Sequence, residues 1–513
     1  MPYDYIDSFK KFCENSLPPI ESFYNKLKDK PRPLQHYRRA QVVWSSFNCS
    51  TLGDYVDLYM KTDILLLVDI FERFRSSSLQ TYNLDSAHYY TLPDFTWDAM
   101  LKYTGQELEL LTDPDMHLFV ERGIRGGLSQ VCSKRRMKAN NPYINNYDPS
   151  KPKTFLMYFD VNNQYGWAMS QYLPYGGFEW VDANIDVLSI ADDASEGYVL
   201  EVDLEYPQHL HKDIPFCPES LNSKTMLPPT RPREQTKLMA TLQDKERYVI
   251  HYRALKQALA NGLILKKIHR VLKFKQAPWL KSFIDLNTNL RKAAKNEFEK
   301  DLLKLMNNAV FGRTMESVRK RVDIKLLTLW EGRYGAEAKI SSPLFKNATI
   351  FSENLVAVEM LRAEIWLDKP IYIGMSILDL AKTTIYDFQY GYLAGRFGEN
   401  FTTCYTDTDS VIVEIREQNP YEAMKEDCYK YFDTSDYRKD NIYGIPPQVN
   451  KKVLGMMNDE NEGRIMTDYI GLRSKLYTTK VAITEDKIEK KRRELKEEEY
   501  EDDEIDTIIK NWA

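Results

Sequence analysis

Apolar and polar positions along this chain follow two periods, and the change from one to the other marks out its elements. From Asp54 to Leu79 apolar side chains recur at helical spacing and stop before the polar Gln80–Asn83 stretch; residues 1–110 as a whole read mostly helical. The segment Arg122 to Ser129, RGIRGGLS, carries a glycine pair that breaks any helix and marks a turn or a close backbone approach. Thr154 to Phe159 (TFLMYF) is a short apolar run suited to a buried strand, with Asp160 at its end. Around 185–280 come the proline-rich LPPTRPRE, a strand over Tyr248–Tyr252 and a helix over Ala254–Asn261 closed by Gly262. Leu286 to Val318 then reads as one long helix, Phe345 to Trp366 as mixed, Ile371 to Gly391 as helix, and Thr402–Val413 as strand, turn, strand about TDTDS. The last thirty residues are a Glu/Lys/Arg block that predicts an exposed helix or disorder.

A chain of 513 residues exceeds one hydrophobic core, so two or more domains are expected. The net charge of −5 conceals an asymmetry: Arg231 to Lys320 holds 21 Lys/Arg against 8 Asp/Glu, while Thr484 to Asp506 holds 6 against 12. A basic middle can follow a phosphate backbone by releasing counterions, and an acidic end reads as a solvated tail. The 34 tyrosines supply amphipathic rings for stacking or for packing. Six scattered cysteines include no CxxC pair, so neither a zinc site nor a disulfide framework is expected; His209, His211 and Cys217 lie close together but lack a fourth ligand. This usage fits a reducing, intracellular setting. The first residues lack the apolar core of a signal peptide, and the longest apolar run, Ile64 to Val68, is too short to span a bilayer. No membrane partner is expected.

The candidate chemistry sits in three carboxylates. Asp160 closes one strand; Asp407 and Asp409 flank the turn of a later strand pair. A tight turn at Asp407–Thr408–Asp409 aims side chains at one point above a sheet. Hard cations such as magnesium take oxygen ligands, and two of them about 3.5–4 Å apart can clamp the attacking and leaving oxygens of a phosphoryl transfer. A polar turn is the ordinary reading of an isolated DTD; the full string YTDTDS followed by Val411–Val413 is more specific. On the 300–312 helix (KDLLKLMNNAVFG), Lys300, Lys304, Asn308 and Phe311 share one face, with Leu302, Leu305, Met306 and Ala309 opposite. Ammonium groups there can hold phosphate and the ring can stack on a base, though a solvated surface helix has the same pattern. Arg291, Lys292 and Lys295 lie off that face.

These strings resemble the family B DNA polymerases. Tyr405–Ser410 matches their Tyr-x-Asp-Thr-Asp-Ser motif C. Asp160-Val-Asn-Asn163-Gln164-Tyr165-Gly166 is similar to motif A, Asp-x-x-Ser-Leu-Tyr-Pro, keeping Asp and Tyr. Lys304, Asn308, Phe311 and Gly312 match motif B, Lys-x3-Asn-Ser-x-Tyr-Gly, with Ala309 and Phe311 replacing Ser and Tyr. Ile124-Arg-Gly126-Gly127 resembles the Tyr-x-Gly-Gly link between exonuclease and polymerase, and Lys475-Leu-Tyr477 the Lys-x-Tyr element beyond motif C. Tyr59 and Asp63 in YMKTD, one helical turn apart, resemble the third exonuclease motif, Tyr-x3-Asp. The long insertions and the phrasing of WAMSQYLP and KLMNNAVFGRTME are similar to the protein-primed subgroup of viruses and Polinton/Maverick-type mobile elements.

The resemblance implies an α+β right-hand polymerase: an antiparallel palm sheet with helical fingers and inserted subdomains, preceded by the C-terminal remnant of a 3′–5′ exonuclease-like domain. It implies an exonuclease-like part over 1–115, palm over 116–184, an inserted subdomain over 185–285, fingers over 286–320, a second insertion over 321–370, palm again over 371–480 and a charged tail over 481–513. It assigns Asp160, Asp407 and Asp409 to two Mg²⁺ (Mn²⁺ as substitute) and to catalysis, with Asp407 as assistant. Tyr165, Lys300, Lys304 and Asn308 would meet the dNTP, with Tyr165 excluding a 2′-hydroxyl. Gly126, Gly127, Phe311, Gly312, Tyr405, Lys475 and Tyr477 would meet primer-template DNA, and a terminal priming protein is a further expected partner. The two earlier exonuclease motifs are not found in residues 1–58, so proofreading is expected to be incomplete. Two other readings stay open: a catalytically impaired nucleic-acid-binding remnant of a mobile-element or viral polymerase, and a reverse transcriptase, for which Tyr-x-Asp-Asp would be the expected string.

Overall fold

Alternation along Thr154–Val161 decides which way its side chains face, and that decision organises the molecule. Phe155, Met157, Phe159 and Val161 enter the larger core with Val411, Val413 and Ile415. Leu156 packs on the other face with Tyr405, Ile412 and Tyr469, and Asp160 shares the Leu156 side at the strand's end. The computed structural model describes residues 1–24, 26–27, 33–133, 135–211, 215–222 and 236–482, with isolated positions beyond 490. The LPPTRPRE segment and nearly all of the charged tail lie outside the described residues.

The chain divides into two compact units, Met1–Thr91 and Leu92–Ala513. The first is helical. Its Leu52–Tyr82 helix starts at a reciprocal capping box between Thr51 and Asp54 and stops at Asn83 in the left-handed region, φ 55°. The Leu92–Thr104 helix belongs to the second unit, where it packs on the Glu297–Thr314 helix and Arg313 pairs with Asp94 at 2.6 Å.

The second unit is α+β, as expected, and its main sheet is antiparallel apart from one short parallel pair. The strand order is Ser129–Val131, Phe401–Asp407, Ser410–Arg416, Thr154–Val161, Met457–Asp459, Phe432–Asp433. The hairpin Met466–Arg473 and Leu476–Val481 joins it through Arg136–Lys138 and Thr154–Val161. The nearly all-buried Ile371–Tyr386 helix continues as a π-helical turn over Asp387–Leu393. A second antiparallel sheet holds Leu173–Val181, Ile264–Ala277, Glu196–Glu205 and Lys245–His251. A third has three strands, Asp323–Leu327, Leu355–Met360 and Phe345–Ser352.

The helix expected over Leu286–Val318 is two helices, Lys281–Ala293 and Glu297–Thr314. The second restarts at Asn296, whose side chain accepts from the Glu299 backbone N–H at 2.9 Å. Asn296 with Glu299 three residues on is a capping signature that helical periodicity alone conceals.

Candidate active site

Asp160 is held in place by the short helix that comes directly after its strand. The chain turns at Asn163, φ 43°, whose side chain caps the Gln164–Met169 helix by accepting from Gly166 N–H at 3.2 Å. A side chain at Gly166 would collide with the Asn163 amide. Gln164, buried, donates to Ala381 O at 2.9 Å and to Thr408 O at 3.3 Å. The departures from motif A thus form a local polar network. Asn163 makes the cap, Gln164 ties the Asp160 segment to the Asp407–Asp409 turn, and Gly166 leaves room for both.

The turn itself is set by register. Ser410 pairs with Asp160 and Asp407 pairs with Ser410, while Val161 N–H donates to Asp409 O at 2.8 Å. Asp409 is therefore adjacent in register to Asp160 on neighbouring antiparallel strands. Thr408 takes the left-handed conformation, φ 59°, which is costly for a β-branched residue. Its N–H donates to Leu128 O at 2.8 Å. The side of Gly127 lies directly on it, and a Cβ there would stand 2.8 Å from the Thr408 Cβ and nearer still to its Oγ1 and Cγ2. Of the two outcomes the glycine pair left open, a turn or a close backbone approach, Gly127 makes the close approach. Gly126, by contrast, faces open space.

Charge crowds at this point. Burial first, then repulsion from Asp409 and Glu460, pushes the Asp160 carboxyl up to about 8, against a partial pull downward by Lys304. Asp409 is also raised, by burial and then by Asp407, against Lys475 and Lys304. Glu460, missing from the sequence-based set, is the third member. Its solvent-facing carboxyl is raised by partial desolvation and then by Asp409. Its backbone N–H donates to Tyr158 O at 2.9 Å, just past the Met457–Asp459 strand that pairs Asn458 with Asp160. No motif spacing announces it; only the sheet brings it here.

Asp407 is engaged elsewhere. It is 16% exposed and forms an ion pair with Lys475 at 2.5 Å. Tyr405 donates to it at 3.3 Å and accepts from Lys475 N–H at 3.0 Å. Tyr405 is 0% exposed, and its hydroxyl is taken up by Asp407 and Lys475. Tyr477 is half-buried, its hydroxyl 2.8 Å from that of Tyr158 and its ring centroid 4.4 Å from Tyr405, while Lys475 stands out in solvent.

On the Glu297–Thr314 helix, Lys304 acts on both Asp160 and Asp409. Lys300 pairs instead with Glu297 at 2.7 Å and does not figure among the charges acting on either. Leu305, expected on the apolar back, is 54% exposed, whereas Met306 and Ala309 are buried. Phe311 stacks on Tyr165, centroids 4.6 Å apart and planes 11° from parallel. Among the described residues the Asn308 Oδ1 is buried without a hydrogen-bond partner, and Gly312 faces open space. Part of the basic middle is neutralised by local pairs such as Lys266–Glu205, Arg270–Asp115 and Lys273–Glu179.

The remaining candidates are on other elements. Tyr59 and Asp63 share the Leu52–Tyr82 helix in the first unit, and the Tyr59 hydroxyl, raised by Tyr3 and Asp63, sits 2.7 Å from that of Tyr3. Cys217 is buried in the core, its thiol pushed up to about 12 by burial. Among the described residues no group of three or more His, Cys, Asp or Glu is arranged to hold a metal, and no helix is long and apolar enough to cross a membrane. Asp160 and Asp409 nonetheless have the chemistry a hard divalent cation takes: two oxygen donors from separate segments whose mutual repulsion a cation would relieve.

The family described as "DNA polymerase type B, organellar and viral" matches residues 1–389, a span that includes Asp160 and Lys304 and ends before Asp407. No curated protein matches the chain. Among solved structures, phi29 DNA polymerase with primer-template DNA and incoming nucleotide is similar at 15% identity and a TM-score of 0.46. Its binary complex with primer-template DNA gives 15% and 0.48. Each comparison covers 94% of this chain and 66% of the phi29 chain, so the chain spans just under two thirds of that length. The family B polymerase of the archaeon Pyrobaculum calidifontis gives 12% identity and a TM-score of 0.29, covering 99% of this chain and 49% of that one.

Proposed function

The chain belongs to the organellar and viral type B DNA polymerases, and we propose that it extends a DNA primer on a template, transferring deoxynucleotides to the primer 3′-hydroxyl. The observation that carries this reading is the convergence of Asp160 and Asp409 on adjacent strands under the charge of Lys304. In this reading the main sheet is the palm, the Lys281–Ala293 and Glu297–Thr314 helices are the fingers, and the second and third sheets are insertions.

Asp160 and Asp409 would hold Mg²⁺, with Glu460 at the mouth of the site and Asp407 as an assistant bound to Lys475. The bound metal supplies Lewis-acid stabilisation of the transferring phosphoryl group. The protein's own part is positioning and electrostatics. Lys304 neutralises triphosphate oxygens, and Lys300, one turn away, meets the same group only after leaving Glu297. The Tyr165–Phe311 stack would be the platform for the incoming nucleotide, with Tyr165 excluding a 2′-hydroxyl. The open backbone at Gly312 and Gly126 is free for the nascent pair and the template. Lys475 and Tyr477 meet the primer strand. A terminal protein as primer comes from the subgroup resemblance.

The test is extension of a labelled primer on a single-stranded template with dNTPs and Mg²⁺. Extension by the wild type and its loss in Asp409→Ala support the reading. No extension by the wild type, or equal extension by Asp409→Ala, overturns it in favour of a nucleic-acid-binding remnant.

A further inference from the structure

Behind the Asp407–Asp409 turn lies a small pocket bordered by Gly126, Gly127, Gln164, Tyr165, Thr408 and Lys382. Lys382 belongs to none of the motifs above. It sits on the Ile371–Tyr386 helix, and its ammonium is satisfied on every side. It donates to Arg125 O at 2.7 Å and to Leu378 O at 3.1 Å, and it lies 3.5 Å from the Asp379 carboxylate. Two hydrogen bonds and an ion pair occupy the ammonium, so the group is not poised for a ligand.

Its partners reach further. The buried Asp379 also accepts from His251 N–H, in the second sheet, at 3.0 Å. The Arg125 guanidinium donates to Val249 O of the same strand at 2.7 Å and lies over the Tyr248 ring at 3.7 Å. Arg125 is thus gripped at both ends, its side chain by the second sheet and its carbonyl by Lys382. The next residues in the chain are Gly126, Gly127 and Leu128, and the last two bear on Thr408 by contact and by hydrogen bond. From the other side Gln164 spans Ala381 O, next to Lys382, and Thr408 O.

We propose that Lys382 is a positioning residue for the Asp407–Asp409 turn, acting through the Arg125 carbonyl and the glycine pair rather than by touching nucleotide or DNA. Loss of the ammonium leaves the Arg125 carbonyl and the Asp379 carboxylate without their donor in a dry place. The readiest relief is movement of Arg125–Gly127 toward water. That movement draws Leu128 O away from the Thr408 N–H and releases the turn while the strands beneath it stay paired.

The experiment compares the full-length wild type, Lys382→Met and a control, Lys256→Met. Lys256 likewise joins a carbonyl, Ile190 O at 2.6 Å, and a carboxylate, Asp192 at 2.8 Å, but lies on a helix remote from the turn in sequence. The first readout is amide hydrogen exchange, which does not depend on activity. In Lys382→Met, exchange in peptides holding Thr408 rises roughly tenfold while Thr154–Val161 is unchanged. The second readout rests on the polymerase reading. There kcat falls by about tenfold or more with KM for dNTP within about twofold, because the turn is displaced and the nucleotide contacts are not. Lys256→Met changes neither. Unaltered exchange at Thr408 in folded Lys382→Met, a loss that appears in KM instead of kcat, or the same effects in Lys256→Met overturns the proposal. A wild type that extends no primer sinks the polymerase reading but leaves the exchange result to decide this one. Should Lys382→Met not fold, Asp379→Asn, which removes the counter-charge, is expected to speed exchange at Thr408 in the same direction; no change there overturns the proposal equally.

Discussion

Replacing Gly127 by alanine tests whether the Asp407–Asp409 turn is held by close backbone packing. The new Cβ would stand 2.8 Å from the Thr408 Cβ. Carbon atoms rest about 3.5–4.0 Å apart, so a shift of at least roughly 0.7 Å is required. Rotation about χ1 can move the Thr408 Oγ1 and Cγ2 aside but leaves its Cβ in place, so backbone must move. Thr408 is anchored by its N–H to Leu128 O and by its carbonyl to Gln164, and Asp407 and Asp409 are its neighbours in the chain. The overpacking costs about 1–3 kcal/mol of stability. A displacement approaching 1 Å at a phosphoryl-transfer site costs on the order of 100-fold in rate. The assay is single-nucleotide incorporation at saturating DNA and dNTP, with thermal unfolding alongside. Thr408→Gly supplies the second arm. It removes the clashing atom, and its φ of 59° suits glycine. Gly127→Ala should lose most of its activity, and Gly127→Ala/Thr408→Gly should return to within a few-fold of Thr408→Gly alone. If Gly127→Ala extends primers within about twofold of the wild type, or if Thr408→Gly leaves the loss untouched, the packing argument is wrong.

The same geometry sets four further outcomes. Asp160→Asn and Asp409→Asn should abolish incorporation, and Asp407→Asn should leave a measurable residue because its carboxylate is shared with Lys475; equal loss in all three would refute the ranking. Lys304→Ala should lower kcat/KM for dNTP by about 10–100-fold, a charged contact of roughly 1.5–3 kcal/mol, while Lys300→Ala costs much less; a larger effect at Lys300 would reverse the assignment. Glu460→Gln should raise the Mg²⁺ concentration needed for half-maximal rate, and an unchanged Mg²⁺ titration removes Glu460 from the site. His251 is fully buried, so desolvation depresses its pKa from 6.5 to about 3 and the native state resists protonation. Its contribution to stability is therefore present above pH 6.5 and is lost as pH falls toward 3; between pH 7.5 and 5 it amounts to about 2 kcal/mol. Urea unfolding of His251→Phe should be less acid-sensitive than the wild type by that amount; an identical pH dependence contradicts it.

Much of this site is readable from local sequence, because its central parts are local. A strand end, a two-residue turn and a glycine pair each leave a mark within a few residues, which is why Asp160, Asp409 and Gly127 could be placed. Helical periodicity located the face of Lys304 and Phe311 but ran through the break at Ala294–Asn296. It also assigned Leu305 to a buried face that the restarted helix exposes. What periodicity could not show is pairing between side chains distant in sequence. Lys300 looks equivalent to Lys304 on a helical wheel until Glu297 takes it, and Tyr405 looks like a contact residue until the sheet covers it.

The same distinction explains how the acidic set changed. Motif spacing yields three aspartates, but a sheet assembles carboxylates by strand order. Strand order puts Met457–Asp459 against Thr154–Val161, so Glu460 arrives beside the Asp160–Asp409 pair from 300 residues beyond Asp160 in the chain. The Met466–Arg473/Leu476–Val481 hairpin brings Lys475 to Asp407 by the same logic, diverting one motif aspartate into an ion pair. The electrostatic consequence is asymmetric. Asp407 has a cation of its own, whereas Asp160 is desolvated and faces two carboxylates, offset in part by Lys304. Uncompensated negative charge is the property that draws a divalent cation, so the ligand set should be ranked by unpaired charge and not by membership of the motif.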